Sequence, residues 1–139
     1  LNVKGAYASI KAVLPWMKQQ QDGAIVVMGS DQSFVGKRNS FAYGLTKSAL
    51  ASIAKTTALD YAPYNIRVNA VCPGFTESPM LNRVAGASKK IREQLFKSIP
   101  MERIAKPEEV GNAVAWLLSD ESSYITGIAL PVDGGWMAQ

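Results

Sequence analysis

Three side chains near the middle of the chain combine the types and the spacing that proton transfer needs. Tyr43 and Lys47 lie four residues apart, so on a helix the phenol and the ammonium would share one face, about one turn apart. A cation beside a phenol favours the phenolate and brings the usual phenol pKa of about 10 closer to neutrality. Such a tyrosine can serve as a general acid or base. Ser30 precedes Tyr43 by 13 residues, and its hydroxyl is a candidate third group at the same substrate oxygen.

The segment Ser40–Tyr61 is predicted to be the helix that carries this pair. Its apolar residues recur at three- and four-residue spacing, which is typical of an amphipathic helix. The residues are Phe41, Leu45, Ala49, Ile53 and Ala54. A helix with a core tyrosine and a solvated lysine shows the same Tyr–Lys spacing, so the spacing alone leaves both interpretations open.

The composition excludes several kinds of chemistry. The chain has 139 residues, which suits at most one domain. It contains no histidine, so neither a Ser-His-Asp triad nor a histidine-ligated metal can be built from it, and we expect no metal site. The single cysteine, Cys72, cannot form an intrachain disulfide, which agrees with a reducing, cytoplasmic environment.

Charge and hydropathy argue against nucleic-acid and membrane partners. The formal charge of +4 arises from 15 basic and 11 acidic residues that are scattered along the chain. The densest basic cluster, Lys89 and Lys90 with Arg92, lies in a polar segment and is typical of a solvated helix face. No apolar run approaches the roughly 18 residues of a membrane span. We therefore expect neither kind of partner.

The order of the predicted elements indicates an α/β fold. Helices over 2–21, 40–61 and from Pro107 to Asp120 alternate with strands over 24–28, 66–71 and 127–132. Pro15 should kink or shorten the first helix. Strand 24–28 is continuously apolar, as expected in a parallel sheet that has helices on both faces. The fold class is therefore a doubly wound parallel sheet.

Only part of such a sheet is present in this sequence. About three strands are predicted, whereas a doubly wound nucleotide-binding sheet has about six. Neither GxGxxG nor GxxxxGK[ST] occurs, so the phosphate-binding turn of that fold is not found in these residues. Residues 75–105 are predicted to be irregular, with short helical pieces.

Five features, in order along the chain, resemble the C-terminal half of a short-chain dehydrogenase/reductase, and the resemblance covers all 139 residues. They are Asn2 in LNVKG, Ser30 after its strand, YGLTK at 43–47, IRVNAVCPG at 66–74 and LPVDGG at 130–135. The family's glycine-rich turn would precede Leu1. The resemblance implies a Rossmann-like fold, with residues 1–139 as the C-terminal part of a single dinucleotide-binding and catalytic domain and with a substrate lid around 75–105.

The resemblance also implies a role for each catalytic candidate. Tyr43 would be the general acid in ketone reduction and the general base in alcohol oxidation. Lys47 would bind the nicotinamide ribose and favour the tyrosinate, and Ser30 would hold and polarise the substrate oxygen. Asn2 would hold a water that connects Lys47 to solvent.

The cofactor implied by the resemblance is NAD or NADP. Besides Tyr43 and Lys47, the turn after the second strand would bind it. Pro73 and Gly74 would turn the backbone beneath the nicotinamide, the Thr76 amide would contact the carboxamide, and Ser78 would contact a carboxamide or phosphate oxygen. Considered alone, Pro73-Gly74 also fits a strand-ending turn, and Ser78 fits a loop cap.

These observations predict an NAD(P)-dependent oxidoreductase that interconverts a secondary alcohol, possibly a sugar or polyol, and a ketone. The alternative is a catalytically silent fragment or binding module of the same fold, and we do not expect the 139 residues by themselves to be active. We also expect a homo-oligomer, a dimer or tetramer, in which helices 2–21 and 40–61 pack against their symmetry mates. The interface would use Tyr7, Ala8 and Ala12 beside Val13 and Leu14 on the first helix, and Ala51, Ala54 and Ala58 beside Leu50 and Ile53 on the second. The alternative is that the missing half of the same chain covers these faces.

Overall fold

The structure is a computed structural model that describes residues 2–79, 81 and 89–139. Its helices are α1 (Asn2–Gln20), α2 (Phe41–Tyr61), α3 (Lys89–Lys97) and α4 (Pro107–Leu118), and its strands are β1 (Gly23–Met28), β2 (Ile66–Pro73) and β3 (Ala129–Val132). The strands form a parallel sheet in the order β1–β2–β3. The predicted parallel α/β architecture is confirmed.

Strand β2 is the centre of the sheet and is buried on both faces. Val68, Ala70 and Cys72 belong to a core that β1 and β2 form with α1 and α2. Val71, which points to the opposite face, packs with Val110 and Leu117 of α4. Helices therefore cover both faces of the sheet, which explains why β1 is continuously apolar.

Helix α1 continues through Pro15 to Gln20, so the expectation that Pro15 shortens the helix is wrong. A proline removes one backbone donor, but this helix is also held by the burial of Ile10 and Leu14 against the sheet. Tyr7 and Val13 lie beside this buried stripe and remain exposed.

The predicted apolar stripe of α2 is also wrong in part. Phe41 is 86% exposed and Leu45 58% exposed, because they lie on the side of the helix that faces away from the sheet. The buried face consists of Leu50, Ala51, Ala54 and Ala58. Three of these four residues are alanines, which let the helix approach the sheet closely.

The end of β2 and the start of β3 differ from the predictions. The Asn69 side chain accounts for the later start of β3. β2 extends two residues beyond the predicted end, to Pro73, and β3 begins at Ala129 rather than at 127. Just before β3, the Asn69 Oδ1 accepts from the Ile128 N–H at 3.1 Å, while Asn69 Nδ2 donates to Ile125 O at 2.9 Å. The side chain thus takes the Ile128 N–H that a longer β3 would have paired with the β2 backbone, while the Gly127 N–H still donates to Val68 O at 2.8 Å.

The helix predicted to start at Pro107 is confirmed, with proline at its first position and acidic residues in its first turn. The Glu109 carboxylate accepts from the Lys106 N–H at 2.8 Å and pairs with Arg103 at 2.7 Å. These contacts lower the pKa of Glu109 to about 2, mainly through the hydrogen bond from Arg103.

The predicted lid region is only partly described. Within 75–105, residues 80 and 82–88 lie outside the described residues. No helix within the described ranges 2–79 and 89–139 has both the length and the hydropathy to cross a membrane.

Replacing Asn69 with alanine should reduce the free energy of unfolding of the full-length protein by about 3 kcal/mol, since it leaves two buried backbone groups without partners. Asn69 is fully buried. Urea denaturation measures the loss. Asn112→Ala, at an exposed position of α4, is the matched control and should change stability by less than about 0.5 kcal/mol. Equal effects of the two substitutions would contradict the role assigned to Asn69.

Candidate active site

A cavity of about 600 Å³ opens where β1 and β2 end. In an open parallel sheet, ligands bind at the carboxyl ends of the strands. The cavity is lined by the loop after β1, the first turns of α2 and the turn after β2. Its lining contains all the predicted catalytic and cofactor-binding residues except Asn2, namely Ser30, Tyr43, Lys47, Pro73, Gly74, Thr76 and Ser78.

Lys47 is held at the carboxyl end of β1. Its Nζ donates to Met28 O at 2.8 Å and lies 5.7 Å from the centroid of the Tyr43 ring. Burial lowers the pKa of Lys47, and the nearby Cys72 opposes this effect. The ammonium is therefore fixed by a backbone carbonyl beside the face of the phenol ring, as the four-residue spacing predicted.

Ser30 is buried at the start of a short 3-10 turn, Asp31–Ser33. The Ser30 N–H donates to Ser33 Oγ at 3.2 Å, and Ser33 Oγ donates to the Lys47 backbone carbonyl at 2.8 Å. This pair of contacts fastens the loop after β1 to α2. It thereby brings Ser30 to the same cavity as Tyr43.

Asp31 and Lys37 also line the cavity, and the sequence analysis did not identify them. Ser30 Oγ donates to Asp31 Oδ1 at 2.7 Å, and Lys37 Nζ lies 2.7 Å from Asp31 Oδ2. The Lys37 ammonium is 4.5 Å from the Phe75 ring centroid and 4.9 Å from the Trp136 ring centroid. The sequence contained one signal that could have identified Asp31: it directly follows the candidate serine in a polar loop.

The turn after β2 is built by backbone contacts to the end of β3. The Gly74 N–H donates to Val132 O at 3.0 Å. A Cβ at Gly74 would lie 2.8 Å from the Asp133 Cβ, so this approach requires glycine. Ser78 Oγ accepts from the Leu81 N–H at 3.1 Å. Ser78 is therefore a loop cap, and its contact with a cofactor stays a prediction.

Asn2 does not line this cavity. It is exposed at the start of α1 and lines a second cavity of about 400 Å³, together with Met28 and Lys47. Met28 and Lys47 line both cavities. The structure thus places Asn2 on the other side of Lys47, apart from Tyr43 and Ser30.

The fold and the site define an α/β protein of Rossmann type with a Ser–Tyr–Lys group at the carboxyl edge of its sheet. A family model described as enoyl-(acyl carrier protein) reductase matches residues 1–137. Oxidoreductase UcpA of Escherichia coli strain K12 is 43% identical over 141 residues, which cover 97% of this chain and 54% of UcpA. The 3-oxoacyl-(acyl-carrier-protein) reductase FabG of Thermotoga maritima is 40% identical over 135 residues, with coverages of 97% and 54%. The chain belongs to the short-chain dehydrogenase/reductase family.

Solved structures agree with this assignment. The ligand-free aldohexose dehydrogenase AldT of Thermoplasma acidophilum superimposes with a TM-score of 0.93 at 38% identity, covering 100% of this chain and 57% of that chain. A gluconate 5-dehydrogenase of Burkholderia cenocepacia, in complex with NADP and tartrate, gives a TM-score of 0.94 at 29% identity, with coverages of 100% and 54%. The chain spans about half the length of the relatives that it matches.

The lowered pKa of Lys47 predicts that its amine becomes reactive at a lower pH than that of an exposed lysine. We expect competitive acetylation of the full-length protein, followed by peptide mass spectrometry, to show a lower titration midpoint for Lys47 than for Lys55. Lys55 is exposed on the same helix and serves as the internal comparison. A midpoint for Lys47 at or above that of Lys55 would contradict the effect of burial.

Proposed function

We propose that the protein that contains this chain is an NAD- or NADP-dependent oxidoreductase that interconverts a secondary alcohol and a ketone by hydride transfer. The observation that carries the proposal is the arrangement of Ser30, Tyr43 and Lys47 around one cavity, with the Lys47 ammonium 5.7 Å from the Tyr43 ring centroid. The names of the relatives, an oxidoreductase and a reductase, support the same class of reaction.

Ser30, Tyr43 and Lys47 have different roles at the substrate oxygen. Tyr43 gives a proton to this oxygen in reduction and takes it in oxidation. The Lys47 ammonium, 5.7 Å from the Tyr43 ring centroid, would act on the phenol by its charge and would hold the nicotinamide ribose. Ser30 holds the substrate oxygen, where charge develops during the reaction, and hydrogen bonds placed there in advance stabilise the transition state. Asn2, beyond Lys47, would hold a water that exchanges protons with solvent.

The residues around the cavity fit the nicotinamide end of the cofactor. Lys47 offers an ammonium, Thr76 a backbone N–H and Ser78 a hydroxyl, and the turn at Pro73–Gly74 brings its backbone to the cavity wall. Such donors suit a ribose and a carboxamide. When bound, the cofactor supplies or accepts the hydride, so the proposal needs no metal. The residue that selects between NAD and NADP normally follows the second strand of the complete fold, and these three strands give no basis for choosing.

Residues 1–139 would then be the C-terminal part of one dinucleotide-binding and catalytic domain. Two observations support this division: the chain spans 54% of UcpA, and β1 lies at an edge of the described sheet. In the alternative, a silent binding module, the same cavity would bind a ligand without turnover.

A sugar, polyol or similarly small polar compound is the substrate class that we favour. The loop wall of the cavity is polar, with Gln32, Arg38, Asn39 and Ser40 beside Ser30. Amide, hydroxyl and guanidinium groups suit several substrate hydroxyls. Among the structural neighbours, the aldohexose dehydrogenase and the gluconate 5-dehydrogenase are named for substrates of this kind.

Replacing Tyr43 with phenylalanine should lower the turnover number of the full-length enzyme by at least about a hundredfold, since the general acid–base is lost. The test is a spectrophotometric assay of nicotinamide reduction with a panel of sugars and polyols, each with NAD and with NADP. Tyr124→Phe is the control, because Tyr124 is fully exposed and should retain wild-type turnover. Near wild-type turnover of Tyr43→Phe would refute the mechanism, and cofactor binding without turnover in the wild type would favour the silent module.

We also infer a homo-oligomer that uses the outward face of α2. Ala51, Ala54 and Ala58, expected at the interface, are instead buried in the chain's own core. The exposed large apolar residues of α2 are Phe41, Leu45 and Leu59, which share the opposite face at helical spacing. A second copy of the chain would cover them.

Sedimentation equilibrium of the full-length protein should therefore show a dimer or tetramer at micromolar concentration. Leu59→Arg should shift the distribution toward monomer, because it places a charge in an apolar contact. Leu59 is 78% exposed in the single chain, so the substitution should leave the fold of each subunit intact. A monomeric wild-type protein would count against the interface.

A further inference from the structure

The charged side chains that line the 600 Å³ cavity leave a surplus of positive charge. They are Asp31, Lys37, Arg38 and Lys47. The Asp31 carboxylate pairs with the Lys37 ammonium at 2.7 Å, so these two charges largely cancel. Arg38 and Lys47 have no carboxylate partner among residues 2–79, 81 and 89–139, and the residues outside these ranges contain no aspartate or glutamate. Two cations without an acidic partner therefore border one cavity.

Arg38 lies in the loop after β1, between two anchored residues. On one side, Lys37 is bonded to Asp31 at 2.7 Å. On the other side, Ser40 Oγ donates to Gln32 Oε1. Arg38 itself is exposed, lines the cavity and has no hydrogen-bond partner within the described residues. The backbone on either side of Arg38 is thus fixed, while its guanidinium stays available to a ligand.

Gln32 adds a second free donor to the same wall of the cavity. Its N–H donates to Asp31 Oδ1 at 2.7 Å, and its backbone carbonyl accepts from Ser48 Oγ at 3.3 Å. The side-chain Oε1 accepts from Ser40 Oγ, whereas Nε2 donates to no group in the part of the chain that the structure describes. An amide whose acceptor is engaged and whose donors are free offers a ligand only donors.

A carboxylate is the ligand group that matches both side chains. An ionised carboxylate has only acceptors, and a guanidinium binds it through two parallel, charge-assisted hydrogen bonds. A substrate hydroxyl would satisfy the amide of Gln32 but would leave the charge of Arg38 without a counter-charge. The wall formed by Gln32 and Arg38 therefore favours an anionic substrate over a neutral one.

We propose that Arg38, assisted by Gln32, is a specificity-determining residue that binds a carboxylate of the substrate, so that the site prefers a sugar acid to the corresponding neutral polyol. The proposal deepens the proposed function and rests on it, because it narrows the substrate class from small polar compounds to anionic ones. Lys47 is not needed for this contact, since the proposed function assigns its ammonium to Tyr43 and the cofactor.

The test compares aldonates with the alditols that differ from them only at the carboxylate. The pairs are D-gluconate with D-glucitol, D-mannonate with D-mannitol, and D-galactonate with galactitol. Each compound is titrated into full-length enzyme saturated with reduced cofactor, where neither an alcohol nor a carboxylate can react. We expect at least one aldonate to bind about tenfold more tightly than its alditol, the size expected for a hydrogen bond between charged groups. The absence of such a pair, or of any aldonate binding, would overturn the proposal.

Variants locate the preference at this wall. Arg38→Gln should bring the ratio of the two dissociation constants close to one by weakening the aldonate alone. Gln32→Glu keeps an acceptor for Ser40 but should also lower the ratio, because a carboxylate there repels an anion. Lys4→Gln, at an exposed position of α1, removes the same charge outside the cavity and should keep the wild-type ratio. An unchanged ratio in Arg38→Gln, or an equal loss in Lys4→Gln, would overturn the proposal.

The affinity for the cofactor is a second readout, since cofactor phosphates are anions as well. Arg38→Gln should leave the dissociation constant of the reduced cofactor unchanged. Weaker cofactor binding together with an unchanged ratio of aldonate to alditol would assign Arg38 to the cofactor and overturn the proposal.

The titrations need no turnover, so their outcome is separate from the test of the proposed function. Tyr43→Phe should keep the preference for the aldonate even though its turnover is lost. An enzyme that oxidises alditols without preferring aldonates would retain the proposed function and refute this inference. An enzyme that prefers aldonates without oxidising any alcohol would do the reverse.

Discussion

The hydrogen bond from Lys47 Nζ to Met28 O is the contact on which the candidate site depends. It joins α2 to the carboxyl end of β1 at 2.8 Å, and the 2.8 Å bond from Ser33 Oγ to the Lys47 carbonyl joins the intervening loop to the same turn of the helix. Since α2 is the crossover between two parallel strands, it must start at that edge of the sheet. Tyr43, one turn before Lys47, is thereby carried to the cavity that Ser30 lines.

The turn after β2 is supported indirectly by the contacts that β2 makes with the end of α4 and with the segment before β3. Arg67, on β2, donates to Leu117 O at 2.8 Å and to Ser119 O at 3.0 Å, so it satisfies carbonyls at the end of α4. Asn69 fixes the segment that leads into β3. These contacts place β3 beside β2, and β3 in turn supports Gly74 through Val132 O. The cavity floor therefore depends on buried polar groups that lie outside the cavity.

The charges at the cavity are arranged in two ways. Lys47 is bonded to a backbone carbonyl and has no carboxylate partner in the described part of the chain, so its ammonium remains a positive charge at the cavity. Lys37 is paired with Asp31 and enclosed by Phe75 and Trp136, so its charge is largely neutralised locally. The first arrangement leaves an ammonium at the cavity, and the second fixes the loop after β1 through Asp31. Trp136, close to the last residue, thereby connects the end of the chain to the serine loop.

The sequence by itself determined the order of the elements, the parallel sheet and the shared helix face of Tyr43 and Lys47, because these follow from apolar periodicity and from spacing along one helix. That Ser30 joins them was implied by the family resemblance and not by spacing. Only the tertiary structure decided which face of α2 is buried, where Asn2 lies, and that Asp31 and Lys37 join the site. Those outcomes depend on contacts between segments far apart in the chain: alanines against the sheet, α1 against the opposite side of Lys47, and Lys37 against Phe75 and Trp136. Local spacing carries no information on such contacts, since they arise only when the sheet brings the segments together.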